Sequence, residues 1–528
     1  MKMRKLIALA LVTVMVFALF AGCTKTETDT TTTATGSGTD TTSGGTGNRR
    51  TDIVIAKASD VVNPDPHEQN DTSSNAVIRM MYNSLLVRDV YTGEIGPALA
   101  ESWEVLDDTT YKFKIREGVK FHDGSELTLE DVKWSLDRAR NSAKVKQFVE
   151  AISDVQISEE DHSVIVTTHN PYAPMLGNLA GTQISILSKA HCEKLEAEGK
   201  KYQDAPLGTG PMKYKSWVPN NEFIVERFDD YWGEKAVATT VTFKVILEEA
   251  SRTIALQAGD VDMIDAVPAV DIDRVLEDEN FTTVVQPSPS ITYVSWNMTK
   301  APYDNVKVRQ ALSYATNKQD IIDIVCEGKA IPINTLYSPL VNAYDETLDL
   351  YPYDLEKAKQ MLIEAGYPDG FTARVSLNSD ERSRIAQTLQ SQWADLGVTL
   401  EIDLMEWGAY LDHISAKEHE MFILGWSASY DPEVTCRSLF HTDSGGPTGN
   451  RAWYSNPELD ALIDEAASIL DWEEREPMYK EIQRMGMEDA VFIPIFAKDT
   501  VVAMNKNLKG IKVSPTDSHI YVYGYVEE

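Results

Sequence analysis

Cysteines are the most reactive side chains in this chain, and their spacing limits the chemistry that they could do. The sequence contains four cysteines. Cys192, Cys326 and Cys436 lie far apart, and they form neither the close pairs of a zinc site nor the framework of a disulfide-stapled domain. One disulfide among the three can be drawn, but we expect buried or free thiols. Cys23 differs, because it directly follows Ala21-Gly22 at the end of an apolar segment.

The common catalytic and metal-binding motifs are missing from the sequence. It contains no His-Glu-x-x-His pattern, no Gly-x-Ser-x-Gly turn, no phosphate loop and no dinucleotide fingerprint. His413 and His419 are six residues apart, a spacing that does not put them on one helix face. Pro206–Pro211 is glycine-rich, but prolines flank it and the sequence predicts no helix after it. Carboxylate pairs must occur by chance among 82 acidic residues, so nothing singles out a glycosidase site. We expect no metal, no cofactor and no catalytic residue.

The N-terminal segment has the organisation of a bacterial secretory signal. Met1–Lys5 carries three positive charges, and Leu6–Phe20 is a mostly apolar run of fifteen residues. This run is short for a membrane-spanning helix, which needs about 20 residues. A cysteine after two small residues is typical of a lipoprotein site, although Phe20 stands where such sites usually have Leu. We expect residues 1–22 to be a signal peptide and Cys23 to carry lipid. An ordinary signal peptide or a membrane anchor is the alternative.

A polar tract separates this signal from the rest of the chain. Thr24–Arg50 consists largely of Thr, Gly, Ser and charged residues and has no large apolar side chain. Such a segment cannot bury enough apolar surface to offset the entropy of ordering. A flexible chain of this length has a root-mean-square reach of about 30 Å. Residues 23–50 are therefore predicted to be a disordered linker between a membrane and a globular body.

The body itself is large and acidic. Residues 51–528 are too many for one hydrophobic core and enough for two or three domains. The formal net charge of the chain is −33, and 43% of its residues are hydrophobic. We expect no nucleic-acid partner, because such binding requires clustered Lys and Arg.

Strand and helix signals alternate along the body. Asp52–Ala58 and Tyr111–Ile115 have the composition and alternation of strands. Thr128 opens a capping box, Asp354 precedes a helix with one apolar face, and Asn456 precedes a proline in the first helical turn. This mixture predicts α/β lobes rather than a sandwich or a helical bundle.

A series of short motifs then becomes specific as a set, because the motifs occur in a fixed order from about residue 51 to residue 525. They are Gly93–Trp103 (GEIGPALAESW), Tyr111–Gly124 (YKFKIREGVKFHDG), Pro206–Tyr214 (PLGTGPMKY), Tyr231-Trp232, Ala255–Asp262 (ALQAGDVD), Tyr293–Asn297 (YVSWN), Val308–Ala315 (VRQALSYA), Ala358–Pro368, Gly425–Pro432 and Tyr454–Ala466. Together they resemble the family-5 extracellular solute-binding proteins, the oligopeptide, dipeptide and nickel receptors of ABC importers.

This resemblance implies a two-lobed, periplasmic-binding-protein-like α/β fold of class II, in its large three-subdomain form. A hinge joins the two lobes, and the ligand cleft lies between them. Lobe 1 is expected to take residues 51–289 and 494–528, with a subdomain at about 94–203. Lobe 2 is expected to take residues 290–493.

The same resemblance puts the hinge crossings near Pro287–Ile291 and Ile493–Phe496. Pro287, Pro289 and Pro494 fit such crossings, because proline cannot join a central strand ladder.

The family lines its cleft with three segments, which correspond here to Asn63–Ser73, Asn378–Arg382 and Gly425–Pro432. Trp426 matches the cleft tryptophan of the family, where an aromatic surface packs on the ligand; a core position is the alternative. The ligand-binding candidates implied by the resemblance are Trp426, Ser429, Tyr430, Asp431, Asn378, Trp407, Trp296 and Asn63. For Trp296, Trp407 and Tyr430, plain packing is an equal alternative.

One position departs from the family pattern. Peptide receptors of the family commonly have an aspartate three residues after the cleft tryptophan, where it pairs with the α-ammonium of the ligand; here the residue is Ser429. A hydroxyl cannot supply the charge-assisted bond that a buried ammonium needs. Asp431 could substitute, although the Asp-Pro at this place is usually structural in the family.

The expected function is that of a monomeric receptor, lipid-anchored on the extracytoplasmic face of a bacterial membrane. It would capture a small solute, by default a peptide, and deliver it to an ABC importer permease without enzymatic activity. An oligosaccharide or another non-peptide solute is the alternative cargo. A lipid-anchored hydrolase is the remote alternative.

Overall fold

The computed structural model describes residues 49–427 and 431–528. The predictions for the signal peptide, Cys23, Ser429 and Tyr430 lie outside this part of the chain.

The strands, in chain order, are β1 (Arg49–Arg50), β2 (Asp52–Lys57), β3 (Leu86–Arg88), β4 (Ile95–Pro97), β5 (Ala100–Asp107), β6 (Thr110–Ile115), β7 (Ile152–Ser158), β8 (Ser163–Thr168), β9 (Met212–Val218), β10 (Glu222–Arg227), β11 (Thr240–Val245), β12 (Met263–Ile264), β13 (Phe281–Gln286), β14 (Ser290–Trp296), β15 (Ile331–Pro332), β16 (Thr372–Leu377), β17 (Thr399–Leu404), β18 (Met421–Ser427), β19 (Phe492–Ala497), β20 (Thr500–Asn505), β21 (Leu508–Lys509) and β22 (Tyr525–Glu527).

The α-helices are α1 (Thr72–Met81), α2 (Leu129–Arg140), α3 (Met175–Leu179), α4 (Lys189–Ala197), α5 (Glu249–Ala258), α6 (Ile272–Glu277), α7 (Val306–Tyr314), α8 (Lys318–Cys326), α9 (Leu355–Glu364), α10 (Asp380–Ala394), α11 (Trp407–Ser415), α12 (Pro432–Phe440), α13 (Pro457–Ser468) and α14 (Trp472–Glu488). Short 3₁₀ turns lie at Pro66–Glu68, Lys146–Phe148, Thr182–Ile184, Tyr202–Asp204, Ala269–Asp271 and Thr442–Ser444.

The local signals in the sequence correspond to real element boundaries. The strands predicted at Asp52–Ala58 and Tyr111–Ile115 are β2 and β6. Thr128 and Asp131 form the predicted capping box of α2, in which each side chain accepts a hydrogen bond from the backbone of the other residue. Asp354 and Asn456 cap α9 and α13 as expected.

Two large sheets organise the body. The first sheet has seven strands in the order β13-β20-β12-β2-β11-β10-β9, and β2 runs parallel to both of its neighbours. The second sheet has six strands in the order β15-β19-β14-β18-β16-β17, with β14 antiparallel to both β18 and β19. A smaller antiparallel sheet, β5-β6-β8-β7, packs under α2. The structure is therefore mixed α/β, as predicted.

The chain passes between the two large sheets twice. It leaves the first sheet at Gln286, the end of β13, and enters the second at Ser290, so the first crossing contains the expected prolines. The second crossing lies between β19, which ends at Ala497, and β20, which begins at Thr500. The sequence placed it at Ile493–Phe496, but these residues form β19 itself. Pro494 fits inside β19 because the pairing with β14 shifts register beside it, at a bulge where a missing N–H is tolerated.

The second sheet is buried on both faces, and neighbouring residues of a strand belong to different cores. In β18, Ile423 joins one hydrophobic cluster and Phe422 joins the other. Trp296 of β14 is fully buried in the first of these clusters, where its indole N–H donates to Ala490 O at 3.0 Å. The prediction that Trp296 contacts ligand is therefore wrong, because this tryptophan is a core residue with its polar atom satisfied.

Two residues that the sequence assigned to the disordered linker, Arg49 and Arg50, are ordered. Arg49 and Arg50 form β1, which pairs with β22 near the C-terminus. Arg50 makes an ion pair with the buried Asp262, and the Arg49 guanidinium lies 4.3 Å from the ring centre of Tyr525. These contacts, which involve charge and ring stacking rather than apolar burial, order two residues that composition assigned to the linker.

Candidate functional site

A cavity of about 290 Å³ lies among elements that belong to both large sheets. On one side, its wall is formed by α1, which packs against β9 of the first sheet, and by the segment 177–183. On the other side, the wall is the C-terminal end of β18, together with the start of α11. The loop residues 516–518 also line it. A ligand held here would contact β18 of the second sheet and the helix α1 that packs on the first sheet.

Helix α1 begins at a buried cap and presents a polar face to the cavity. Asp71 is its N-cap and accepts a hydrogen bond from the Ser74 backbone N–H at 2.9 Å. Thr72, Asn75 and Arg79 follow at helical spacing, so they share one face, and all three line the cavity. The apolar residues of the helix are buried in the core. The helix therefore carries polar groups along one wall of the site.

Trp426 lies near the end of β18 and lines the cavity, half-buried. Its indole N–H donates to Thr435 Oγ1 at 3.2 Å, which fixes the ring orientation. The residue before it, Gly425, is close to β14, because a Cβ at this position would lie 3.1 Å from Ile291 O. Trp426 also packs against the hydrophobic cluster that contains Phe422, so its ring lies between this core and the cavity.

Trp407, the first residue of α11, lines the same cavity and approaches the Asp71 carboxylate. Burial raises the pKa of Asp71, whereas donors from Ser74 and the nearby Trp407 indole favour its charged form. The indole does not have the geometry of a hydrogen bond, however, and both Asp71 Oδ2 and Trp407 Nε1 are buried without a hydrogen-bond partner among the described residues. A ligand could satisfy both atoms.

Three other predicted ligand residues do not line the cavity. Asn63 donates to Gln203 Oε1 at 3.0 Å and accepts from the Asp65 backbone N–H at 2.9 Å. Asn378 accepts a hydrogen bond from Arg382 on the first turn of α10. Their polar groups are used to shape loops, so we correct both to structural positions.

Asp431 is the third of these. It caps α12 by accepting from the Glu433 backbone N–H at 2.9 Å, and it pairs with Arg475 at 2.7 Å. The Asp431 carboxylate thus caps a helix and holds an arginine within the fold.

Sequence reasoning missed the arginines of the cavity. Arg79, Arg88 and Arg451 all line it. Arg79 donates to Ser518 Oγ at 2.8 Å, Arg88 to Gly93 O at 2.8 Å and Arg451 to Ser415 Oγ at 3.3 Å. Each of these acceptors is neutral, and none of the three guanidinium groups forms an ion pair with a carboxylate of the described residues. The one available signal was a basic residue on the polar face of α1.

Asp517 is a second residue that the sequence did not indicate. It lines the cavity from the loop between β21 and β22, with a left-handed backbone (φ 56°) that aspartate tolerates. Its carboxylate accepts a hydrogen bond from Ser427 Oγ at 3.3 Å. Burial and the nearby Asp265 raise the pKa of Asp517, while Lys57 acts in the opposite direction.

The chemistry available at this site is binding. Cys192, Cys326 and Cys436 are buried free thiols, and burial raises the pKa of Cys192 and Cys326 to about 12, so these two groups are poor nucleophiles. In the described part of the chain, no three His, Cys, Asp or Glu side chains are grouped to hold a metal ion. No helix within residues 49–427 and 431–528 is long and apolar enough to cross a membrane.

Comparison with known proteins agrees with this architecture. The family model for bacterial extracellular solute-binding proteins, family 5, matches residues 94–447. The chain is 31% identical to the glutathione-binding protein GsiB of Salmonella typhimurium, over 88% of this chain and 92% of that protein. It is 32% identical to the dipeptide-binding protein of Escherichia coli, over 83% and 88% respectively.

A solved structure shows the same fold. The ABC transporter-associated periplasmic binding protein DppA from Helicobacter pylori, determined in complex with the peptide STSA, superimposes with a TM-score of 0.85 at 30% identity. The match covers 91% of this chain and 99% of that one. The expected periplasmic-binding-protein-like fold is thereby confirmed. The chain belongs to the family-5 bacterial extracellular solute-binding proteins, which are binding receptors and not enzymes.

Proposed function

We propose that this protein is an extracytoplasmic receptor that captures a short peptide in the cavity beside Trp426 and delivers it to the permease of an ABC importer. The observation that carries this proposal is the cavity itself, which is lined by two tryptophans and by charged side chains that include Arg79, Arg451 and Asp517. Similarity to proteins named for glutathione and dipeptide binding supports a peptide cargo. A volume of about 290 Å³ suits a small ligand.

The two sheets would form separate lobes that close on the ligand. We propose that residues 51–289 and 498–528 form lobe 1, with the subdomain at about 94–203, and that residues 290–497 form lobe 2. Contacts between these lobes in the structure include Asn70 to Thr448 O at 3.1 Å. Other contacts between them include the Arg437–Glu150 ion pair at 3.3 Å and the packing of Val434 and Ala467 against the core of lobe 1. A ligand that buries surface on both walls would add differential free energy that favours closure.

The α-ammonium of a peptide needs a carboxylate in this site, because position 429 does not supply one. Asp517 and Asp71 are the carboxylates that approach the cavity from buried or half-buried positions. Asp517 is the better candidate, since its partner Ser427 lies only two residues before Ser429 in the chain. Asp71 caps α1 through one carboxylate oxygen, so that only its second, buried oxygen is left for a ligand. We therefore propose Asp517 as the ammonium-binding residue.

Membrane attachment would follow from Cys23. A lipid on this residue and the polar linker that follows it would hold the receptor, as a monomer, on the outer face of the cell membrane. The test is to compare the wild-type protein with Cys23→Ala in cell fractions. We expect the wild type in the membrane fraction and the variant released or retained as an uncleaved precursor. Membrane-bound, correctly processed C23A protein would contradict lipid anchoring.

The cargo can be tested by thermal unfolding of the purified protein with libraries of dipeptides to pentapeptides and of oligosaccharides. A ligand present at 100 times its dissociation constant adds about 2.7 kcal/mol to the free energy of unfolding, enough for a clear shift in Tm. We expect short peptides to raise Tm and to be recovered unchanged. Stabilisation by oligosaccharides alone would show that the cargo is not a peptide, and turnover of a bound compound would contradict the receptor role.

A further inference from the structure

We propose that Arg79 binds an anionic group of the solute, so that the preferred cargo is a short peptide with a carboxylate at the Arg79 end of the cavity. This inference rests on the proposed peptide-receptor function and adds a charge requirement to it.

Arg79 shares with Arg88 and Arg451 the lack of an ion pair among the described residues, but a carboxylate acts on each of those two, Asp431 on Arg88 and Asp71 on Arg451. Most other buried arginines have fixed partners. Arg138 forms two hydrogen bonds with the Asp65 carboxylate, at 3.0 and 2.6 Å, and Arg437 pairs with Glu433 at 2.5 Å. The Arg309 guanidinium donates three hydrogen bonds, all to backbone carbonyl oxygens. Among the described residues, the side chain of Arg79 has one hydrogen bond, to the neutral Ser518 hydroxyl.

Leaving this cation unpaired has a free-energy cost in the empty protein. Desolvation lowers the pKa of Arg79 to about 10, and Tyr521 is the one group whose charge opposes this effect. A charge held away from water without a partner is unfavourable unless something else supplies the partner. The chain has 82 acidic residues against 49 basic ones, so acidic side chains are abundant elsewhere. An anion brought in by the ligand would complete the site.

Arg79 and Asp71 lie at opposite ends of the polar face of α1, about 12 Å apart at 1.5 Å per residue. The two ends differ in charge: burial lowers the pKa of Arg451 and the nearby Asp71 charge acts against this effect, whereas no acidic group acts on Arg79. A carboxylate is therefore favoured at the Arg79 end.

This anionic group could be the C-terminal carboxylate of the peptide or an acidic side chain. Four tripeptides separate the two sources: Ala-Ala-Glu and Ala-Ala-Gln, each as the free acid and as the C-terminal amide. Isothermal titration calorimetry with the wild-type protein should show a loss of affinity of about tenfold or more when the recognised carboxylate is removed. Loss on amidation identifies the terminal carboxylate, and loss on the change from Glu to Gln identifies the side chain.

The variant Arg79→Gln should bind charged and uncharged members of each pair with equal affinity, and Arg79→Lys should restore part of the preference. Arg374→Gln is the matched control, because Arg374 is a surface residue paired with Glu401; it should leave the preference intact. Thermal unfolding without ligand checks that each variant is folded. The inference is wrong if the wild type does not discriminate within either pair, or if R79Q keeps the full preference.

Failure of the peptide role is a separate outcome. If none of the four tripeptides binds, the same titrations with glutarate and with its uncharged diamide test Arg79 directly. Tighter binding of glutarate that is lost in R79Q would keep the anion site and reject the peptide cargo. Equal binding or no binding of the two compounds would reject the anion site as well.

Discussion

Ser427 and Asp517 form a hydrogen bond of 3.3 Å that joins the end of β18 to the loop between β21 and β22. The Ser427 hydroxyl oxygen also lies 3.0 Å from the hydroxyl oxygen of Ser290. Ser290 begins β14, where the chain enters the second sheet. The carboxylate of Asp517 is thus held at the cavity, beside the first crossing between the two sheets. A ligand group that binds Asp517 would also act on the geometry of this crossing.

The first prediction concerns Asp517. Asp517→Asn removes the negative charge with little change in size, so peptides with a free α-ammonium should bind about tenfold or more weakly. N-acetylated peptides should be unaffected. Titration calorimetry of both peptide types measures the difference, and Asp229→Asn, at an exposed aspartate, is the control. Equal losses for free and acetylated peptides would show that Asp517 does not bind the ammonium.

The same residue gives a pH dependence. Because burial raises the pKa of Asp517, its carboxyl takes up a proton at a higher pH than an ordinary aspartate does. Affinity for free-amine peptides should therefore fall as the pH drops through this raised pKa, and the fall should be absent in D517N. A wild-type affinity that does not change between pH 7 and pH 4 would contradict this prediction.

The second prediction compares two tryptophans. Trp426→Ala should weaken ligand binding by about thirtyfold, the effect expected of a large aromatic contact, and Trp426→Phe should retain most of the affinity. Trp296→Phe should leave affinity unchanged but lower the free energy of unfolding by about 1–3 kcal/mol, through the lost bond to Ala490 and the smaller ring. Calorimetry and chemical denaturation of the three variants distinguish the roles. The assignment fails if W426A binds normally.

The third prediction concerns a buried charge cluster between the two proposed lobes. Arg437 pairs with Glu433 at 2.5 Å and with Glu150 at 3.3 Å, and Glu433 is 1% exposed. Arg437→Gln leaves the Glu433 carboxylate buried without a cation, so the free energy of unfolding should fall by about 3–5 kcal/mol. Denaturant titration measures this loss. Arg374→Gln should change stability by about 1 kcal/mol or less, because its ion pair is exposed. Similar effects for both variants would contradict the prediction.

The fourth prediction concerns acid stability. His67 is fully buried with Nε2 at 3.0 Å from Ser185 O, and burial lowers its pKa to about 4. A histidine in the unfolded chain titrates near pH 6.5. Between about pH 6.5 and pH 4, the unfolded chain therefore binds a proton at His67 and the folded protein does not. The stability contributed by neutral His67 is complete above about pH 6.5 and is lost as the pH falls towards 4, by about 3 kcal/mol.

Denaturation curves at pH 7 and pH 5 test this effect. The loss of stability on acidification should be smaller in His67→Gln than in the wild type. His169→Gln, at an exposed histidine, should behave like the wild type. An unchanged pH dependence in H67Q would show that His67 does not contribute.

Local sequence signals predicted the local structure well, but they did not predict which residues line the cavity. The capping residues Thr128, Asp354 and Asn456 act on backbone groups within a few residues, so their effect can be read directly from the chain. The roles of Trp296 and Trp426 could not be predicted in this way, because both are tryptophans in strands of the same sheet. Burial of that sheet on both faces decides which of them packs in a core, and this depends on contacts distant in sequence.

The charged residues of the cavity could not be predicted for the same reason. Arg79 and Asp517 come from positions more than 400 residues apart, and only the fold brings them to one cavity. The misplaced second crossing has a local cause instead. Pro494 was interpreted as a break in a strand, but a bulge accommodates it within β19. A single proline does not distinguish these two outcomes.

The pairing of β1 with β22 brings the two ends of the described chain together. Arg49 and Arg50 lie against Glu527 and Val526, and Val526 packs into the hydrophobic core that contains β2 of the first sheet. The described chain therefore begins and ends side by side, at the edge of the core that contains the first sheet. A label or a surface attachment placed at either end would be joined to the first sheet and would leave the cavity wall formed by β18 free of it.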